Sequence, residues 1–337
     1  MTKSKNIIDT TLVPHKAFDD ASRRLDQCFY HAAETSEPLC LAIVGESRTG
    51  KTRLLEECCL RRPATRQSSG LTVPVLRVKT PSKPTVKGLV ELMLYALNDP
   101  LYDKGTENRK TLRLRKLMRQ CKTVMVIIDE FQHFYDKVSH KVQHHVADWL
   151  KILVDDTRVA LVVAGLPSCK AVIEQNEQLA GRFLAPLVMP RFDWRCNESR
   201  EEFIAILGAF HEALTPYFEL PALDSPEMAF RCYYATGGLI GYLTKFLRQL
   251  VWNAQDKKQT VLSLADLQTA HHEAVWHAVG FAETPSPFAK DFSVQPSAAV
   301  LERVRQLGTA VPGSVSPKST KRSTRQKLTS RDVLSAK

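Results

Sequence analysis

The segment Gly45-Glu46-Ser47-Arg48-Thr49-Gly50-Lys51-Thr52 constrains this chain more than any other stretch. An apolar run, Leu41 to Val44, precedes it, and Lys51 to Leu60 follows with Leu54, Leu55, Cys58 and Cys59 at helical spacing. The order is strand, glycine-flanked loop, helix, and in that context G-x-x-x-x-G-K-T is a complete phosphate-binding loop. The glycines let backbone N–H groups curl around phosphate oxygens, Lys51 reaches the outer phosphates of ATP, and the Thr52 hydroxyl is placed to ligate Mg²⁺. The N-terminus of the helix adds the positive end of its dipole. Glu46, Ser47, Arg48, Thr49 and Arg53 fall in the same cradle by position. A chance glycine-rich turn before a helix is the alternative, and it does not call for all four fixed positions at once.

A phosphate loop alone does not separate a kinase from a motor. The run Val124 to Ile128 followed by Asp129-Glu130 does, because it reads as a buried strand delivering two carboxylates to the sheet edge beside the loop. Asp129 is expected to hold the Mg²⁺ shell and Glu130 to polarise the attacking water as general base. Neighbouring positions at a strand end point in different directions, so one faces metal and the other water. The alternative is a strand that exits into an acidic turn. Arg182, in Gln178-Leu-Ala-Gly-Arg-Phe183, lies between a helix and the last strand. In a monomer it is an ordinary surface arginine; in a ring it reaches the neighbour's γ-phosphate, a contribution of about 10³ to 10⁵ in rate for arginine fingers generally.

The remaining pattern predicts an α/β fold, a mainly parallel five-stranded sheet between helices followed by a small helical lid. Strands are expected at 41–44, 73–78, 124–128, 159–164 and 187–189, and helices at 16–34, 86–97, 110–120, 138–153 and 169–179. From Asn197 only helices are legible: 199–213, 226–235, 239–252 and 265–277, the last opened by a Ser263-Leu-Ala-Asp266 capping pattern. The divisions read from this are an N-terminal helical segment 1–40, an ATPase core 41–196, a lid 197–283 and a basic, unstructured tail 284–337 with one short helix at 298–307.

The net charge of +11 is concentrated. Residues 108–122 carry seven bases and no acid, residues 318–337 carry seven bases and one acid, and the rest of the chain is slightly acidic. Two polyanion or acidic-partner contacts are the expectation. In the first cluster Leu112, Leu114, Leu117 and Met118 interleave with the cations, so one helix face packs while Arg109, Arg113 and Arg115 project toward duplex DNA, extended by Lys79, Lys83 and Lys87. Cations without interleaved aromatics favour phosphate contacts with little sequence preference; a solvated helix face is the bland alternative. The eight cysteines show no C-x-x-C pair and read as reduced thiols. His140, His144 and His145 have zinc-compatible spacing but no evident third ligand, so a solvated helix face is preferred. His133 and Gln132 are expected near a subunit boundary, with plain structural packing as the equal alternative. No run is long enough to span a membrane and the start lacks a signal core, so a cytoplasmic protein is expected.

Together these motifs resemble the AAA+ ATPases, and Ile127-Ile-Asp-Glu-Phe-Gln-His-Phe134, Val163-Ala-Gly-Leu-Pro-Ser168, Leu179-Ala-Gly-Arg-Phe183 and Thr236-Gly-Gly-Leu-Ile-Gly-Tyr-Leu243 look like the TnsC/TniB branch that regulates transposition in Tn-seven-like elements. The resemblance covers roughly residues 10 to 280. It implies an ATP-dependent ring or filament of self-assembled copies on duplex DNA, a signal from a TniQ-type protein or a CRISPR effector, and recruitment of transposase and endonuclease subunits. Two departures stand out. The usual polar sensor at the end of the fourth strand is replaced by Ala164-Gly165-Leu166, leaving Ser168 as a candidate, and the lid lacks its usual arginine, leaving Lys245 or Arg248. Slow, switch-like hydrolysis is expected. A helicase loader or replication initiator shares the nucleotide motifs, a DNA scaffold using ATP only to assemble is the non-catalytic rival, and a small-molecule kinase fits the Asp-Glu pair poorly.

Overall fold

The computed structural model describes residues 6–275, apart from 36, 38 and 69, and residues 285–308. The basic segment 318–337 lies outside the described residues. The chain opens with α1 (Ile7–Thr10) and α2 (Lys16–Glu34), then β1 (Leu41–Val44), α3 (Lys51–Leu60), a hairpin of β2 (Thr65–Gln67) and β3 (Gly70–Thr72), β4 (Val75–Lys79), α4 (Val86–Ala96) and α5 (Glu107–Gln120). It continues through β5 (Met125–Asp129), α6 (His133–Asp136), α7 (His140–Thr157), β6 (Ala160–Gly165), α8 (Lys170–Ile173), α9 (Glu177–Ala180) and β7 (Leu187–Val188). The described remainder is helical: α10 (Asn197–Leu214), α11 (Pro226–Thr236), α12 (Ile240–Asp256), α13 (Leu264–Ala274) and α14 (Ala298–Arg305).

The main sheet runs β4-β5-β6-β1-β7 with every pairing parallel. The sequence pattern explains why. Strands β1, β5 and β6 are apolar runs buried along their whole length, which only a sheet covered on both faces satisfies. Successive side chains then feed opposite cores. Ala42, Val44, Val126 and Ile128 pack with α4, α5 and α7, whereas Leu41, Ile43, Met125 and Ile127 pack with α2 and α3. A third apolar cluster joins α1 to α10–α14 and holds most of the buried aromatic residues among those described. Full burial of each such side chain stabilises by about 1.5–3 kcal/mol.

Parallel order places every strand's carboxyl end on one edge, so the phosphate loop after β1 and Asp129 at the end of β5 share that edge, with β6 between them. The helix expected over 169–179 is instead a 3-10 turn at Pro167–Cys169 followed by the single turns α8 and α9. Asn176 breaks it, because its side chain accepts from Leu179 N at 2.8 Å and caps a fresh turn. The eight cysteines are free thiols, with Cys232 fully buried and pushed up to about 12 by desolvation. The Ser263–Asp266 pair forms a reciprocal capping box at α13. No described helix is long and apolar enough to cross a membrane.

Candidate nucleotide site

The loop between β1 and α3 is shaped by its backbone. Gly50 precedes the helix at φ 94°, a left-handed conformation that glycine adopts without a Cβ penalty, and α3 begins at Lys51 with its N-terminus facing the loop. The Lys51 ammonium donates to Gly45 O at 2.9 Å and Glu46 O at 2.6 Å, so it is drawn across the loop. Burial lowers its pKa from the ordinary lysine value, against the raising fields of Glu130 and Asp129. A held, partly desolvated cation is ready to take phosphate oxygens in place of the two carbonyls.

Asp129, 1% exposed, accepts from the Thr52 hydroxyl at 3.3 Å and from Arg77 Nη2 at 3.1 Å. The Thr52 hydroxyl and the Asp129 carboxylate are hard oxygen donors converging beside the loop, which suits Mg²⁺; they would hold the ion, and it would neutralise phosphate charge there. Arg77, on β4, shares that carboxylate and had no motif to announce it. Glu130 sits at φ 57°, a left-handed conformation rare outside glycine and asparagine, with its N–H on Asp129 Oδ1 at 2.9 Å. That turn separates the two carboxylates: Asp129 stays on the sheet beside Thr52, and Glu130 lines a cavity of about 280 Å³ with Ser47, Lys51, Thr52, Gln132 and Leu166. Local strain of this kind concentrates at functional positions.

A second cavity of about 280 Å³ lies behind the loop, lined by Gly50 and Arg53 and by Ile8, Leu12, Val13, Ile240 and Thr244. It is mainly apolar and adjoins the phosphate cradle through Gly50, Arg53 and Gly241, so a flat heterocyclic base fits beside the phosphates. Sequence reading missed this half, because α1 is a single turn with no periodicity. The α12 helix closes on the loop: Gly241 N donates to Arg48 O at 2.9 Å, and a Cβ on Gly241 would come within 2.8 Å of Arg48 Cβ. The Arg48 guanidinium lies 4.5 Å from the Tyr242 ring centroid. Arg191, also unannounced, is 5% exposed and pairs with Glu46 at 2.5 Å while donating to the carbonyls of Gly237, Arg305 and Leu307.

The other expected residues are placed as follows. Arg182 is ion-paired with Asp155, and its carbonyl accepts from Cys40 N, at the amino end of β1. The phosphate loop is at the opposite end, five positions or roughly 17 Å away. Ser168 Oγ is buried without a partner and does not line the cavity. Arg248 lines the apolar cavity and pairs with Asp9 at 2.5 Å; Lys245 is exposed elsewhere. His145 is paired with Glu107 at 2.8 Å, and no metal-binding group of three His, Cys, Asp or Glu residues occurs among the described residues. Lys79, Lys83, Lys87 and Arg109 are exposed. Arg113 and Arg115 are not free: Arg113 Nε meets Asp99 at 2.5 Å and Arg115 meets Asp156 at 2.5 Å.

A family model described as "Bacterial TniB protein" matches residues 3–194, which include the phosphate loop, Asp129, Glu130 and Arg182. No curated protein matches the chain. Among solved structures, the ADP form of the Aeropyrum pernix ORC2 protein is similar over 80% of this chain and 72% of its own, with TM-score 0.58 and 15% identity. The Aeropyrum pernix ORC1 protein in complex with DNA is similar over 80% and 69%, with TM-score 0.56 and 15% identity. Cdc6p from Pyrobaculum aerophilum is similar over 81% and 72%, with TM-score 0.55 and 13% identity. These likenesses establish the fold. The chain belongs to the TniB family and is an AAA+ ATPase.

Proposed function

We propose that this ATPase regulates DNA transposition: it assembles on target duplex DNA in its ATP state, takes a target-selection signal from a TniQ-type or CRISPR-linked partner, and recruits transposase and endonuclease subunits. The observation that carries the nucleotide-dependent part is that Lys51 and Thr52, at the start of α3, line one cavity with Glu130, just past β5, while Asp129 at the end of that strand meets Thr52 beside it. The TniB match supports the transposition role. The Aeropyrum ORC1 relative was solved with DNA, which supports duplex DNA as the template.

In this reading Lys51 and the loop amides bind the phosphates, and Thr52 with Asp129 would hold Mg²⁺. Glu130 takes the proton of the attacking water as it adds in line to the γ-phosphorus and the bond to ADP breaks. Arg182 stabilises the developing charge from a neighbouring copy. Residues 197–283 serve as the lid, and the exposed lysines at 79, 83 and 87 with Arg109 give the DNA contacts. The test is ATP turnover together with electron microscopy on duplex DNA. Lys51→Ala is expected to lose ATP binding and assembly, and Glu130→Gln to bind ATP, hydrolyse it only slowly and accumulate on DNA. Unchanged turnover in Glu130→Gln removes the general-base assignment, and DNA assembly independent of ATP removes the switch.

A further inference from the structure

The end of β6 lacks the polar side chain that AAA+ enzymes place beside the reacting phosphate, offering Ala164, Gly165 and Leu166. The space is nevertheless filled by an amide. Gln132, on the neighbouring strand's exit and only 5% exposed, accepts from Leu166 N at 3.2 Å through Oε1 and donates from Nε2 to Glu130 Oε2 at 2.5 Å. A Cβ on Gly165 would lie 2.2 Å from Gln132 Oε1, so the missing side chain is what makes room for the glutamine. Ser168, the hydroxyl that the sequence offers there, is turned away from the cavity that Gln132 and Glu130 line.

We infer that Gln132 is the positioning residue of the hydrolytic reaction: an amide bridge from the end of β6 to the Glu130 carboxylate, supplied from β5 in place of a β6 sensor side chain. This rests on Glu130 being the general base. The chemistry of the bridge is directional. A main-chain N–H can only donate, so it fixes Oε1 on the β6 side and leaves the NH₂ group facing Glu130. A hydrogen bond to an ionised acceptor is short and strong, and it settles which carboxylate oxygen remains open to water. Glu130 needs that restraint because its left-handed backbone gives it no support from the strand ladder. Gln132 itself is anchored, since its carbonyl accepts from Tyr135 N and Asp136 N at the start of α6. Any shift of the β6 end against β5, such as one that follows γ-phosphate entry, therefore moves the base.

The experiment compares full-length wild type with Gln132→Met, Gln132→Glu and Gly165→Ala, measuring ATP dissociation constants, single-turnover hydrolysis with labelled ATP, and thermal melting. Gln132→Met keeps volume and loses both hydrogen bonds; single-turnover rate is expected to fall about 10- to 100-fold with ATP affinity unchanged, the range expected when a base is misplaced. Gln132→Glu, which keeps the acceptor for Leu166 but sets two carboxylates together, and Gly165→Ala, which evicts the amide, should show the same split. They keep the inference testable should the methionine variant fold poorly. Adding Gln132→Met to Glu130→Gln should leave the residual rate unchanged, because a residue acting only through Glu130 has nothing left to position. Wild-type single-turnover rates in the folded variants, or equal further losses in the Glu130→Gln background, overturn the inference. If Glu130→Gln itself hydrolyses ATP at the wild-type rate, the general-base reading has failed instead.

Discussion

At the residue scale, His15 shows how burial sets chemistry beside this site. It is packed between Phe18 and Phe192, with ring centroids 6.2 and 5.1 Å away, and lines the apolar cavity. Desolvation lowers its pKa from 6.5, outweighing the raising fields of Glu202 and Asp19. A lowered folded-state value means that, as pH falls through 6.5, the unfolded chain takes the proton before the folded one, so stability is lost toward acid. The denaturant midpoint of wild type should drop between about pH 7.5 and about pH 5.5, and His15→Phe should drop less; parallel pH dependence in the two proteins contradicts the assignment. The residues legible beforehand were those whose meaning is local: Gly45 to Thr52 carries its own turn, and Asp129-Glu130 its own strand end. Arg191, and the bridging role of Gln132, were opaque because their partners are remote, Glu46 being 145 positions from Arg191 and Leu166 being 34 from Gln132. The only signal available for Gln132 was the missing polar residue on β6.

At the scale of elements, the long helices announced themselves through periodicity and the strands through apolar runs, because each must bury one stripe or two faces. What periodicity could not supply was α1 and the exposed hairpin β2–β3, too short to carry a pattern, or the break at Asn176. Helix α14 illustrates the same limit. Leu301 and Val304, with Leu307 just beyond, seat it on the helical cluster, but the carbonyl of its last residue, Arg305, and that of Leu307 are satisfied by Arg191 from the exit of β7. Through Glu46 and Gly237 the same guanidinium touches the phosphate loop and the turn before α12. Arg191→Met strands several part-buried acceptors and should cost about 1–3 kcal/mol in denaturant unfolding. Arg195→Met, whose pair with Asp193 is exposed and strands no buried acceptor, should cost much less. Equal losses in the two variants refute the clamp.

For the whole molecule, charge placement limits which cations are left free for the DNA contact proposed above. The basic helix α5 consumes much of its own charge: Lys110 is fully buried against Glu91, Arg113 and Arg115 meet Asp99 and Asp156, and Arg119 donates to Asp156 O. Sequence proximity cannot show such pairs, since their acids come from other elements. Neutralising Lys79, Lys83 and Lys87 should therefore flatten the salt dependence of duplex binding by about 0.9 per lost phosphate contact. Arg113→Ala with Arg115→Ala should mainly lower stability, and an unchanged slope in the lysine variant moves the path elsewhere. The proposed assembly makes a separate demand on Arg182. Arg182 is held by Asp155 at the amino end of β1, roughly 17 Å along the strand from its own phosphate loop, so a side chain of its length cannot serve the site of its own chain. If it serves a neighbour, each hydrolytic site is built from two copies: Glu130 from one, Arg182 from the next. Arg182→Ala and Glu130→Gln alone should each be inactive in DNA-stimulated hydrolysis while still binding ATP. Mixed before assembly, they should regain part of the activity, because some interfaces pair an intact Glu130 with an intact Arg182. A mixture that stays as inactive as either variant, in assemblies shown to contain both, places Arg182 outside the reaction.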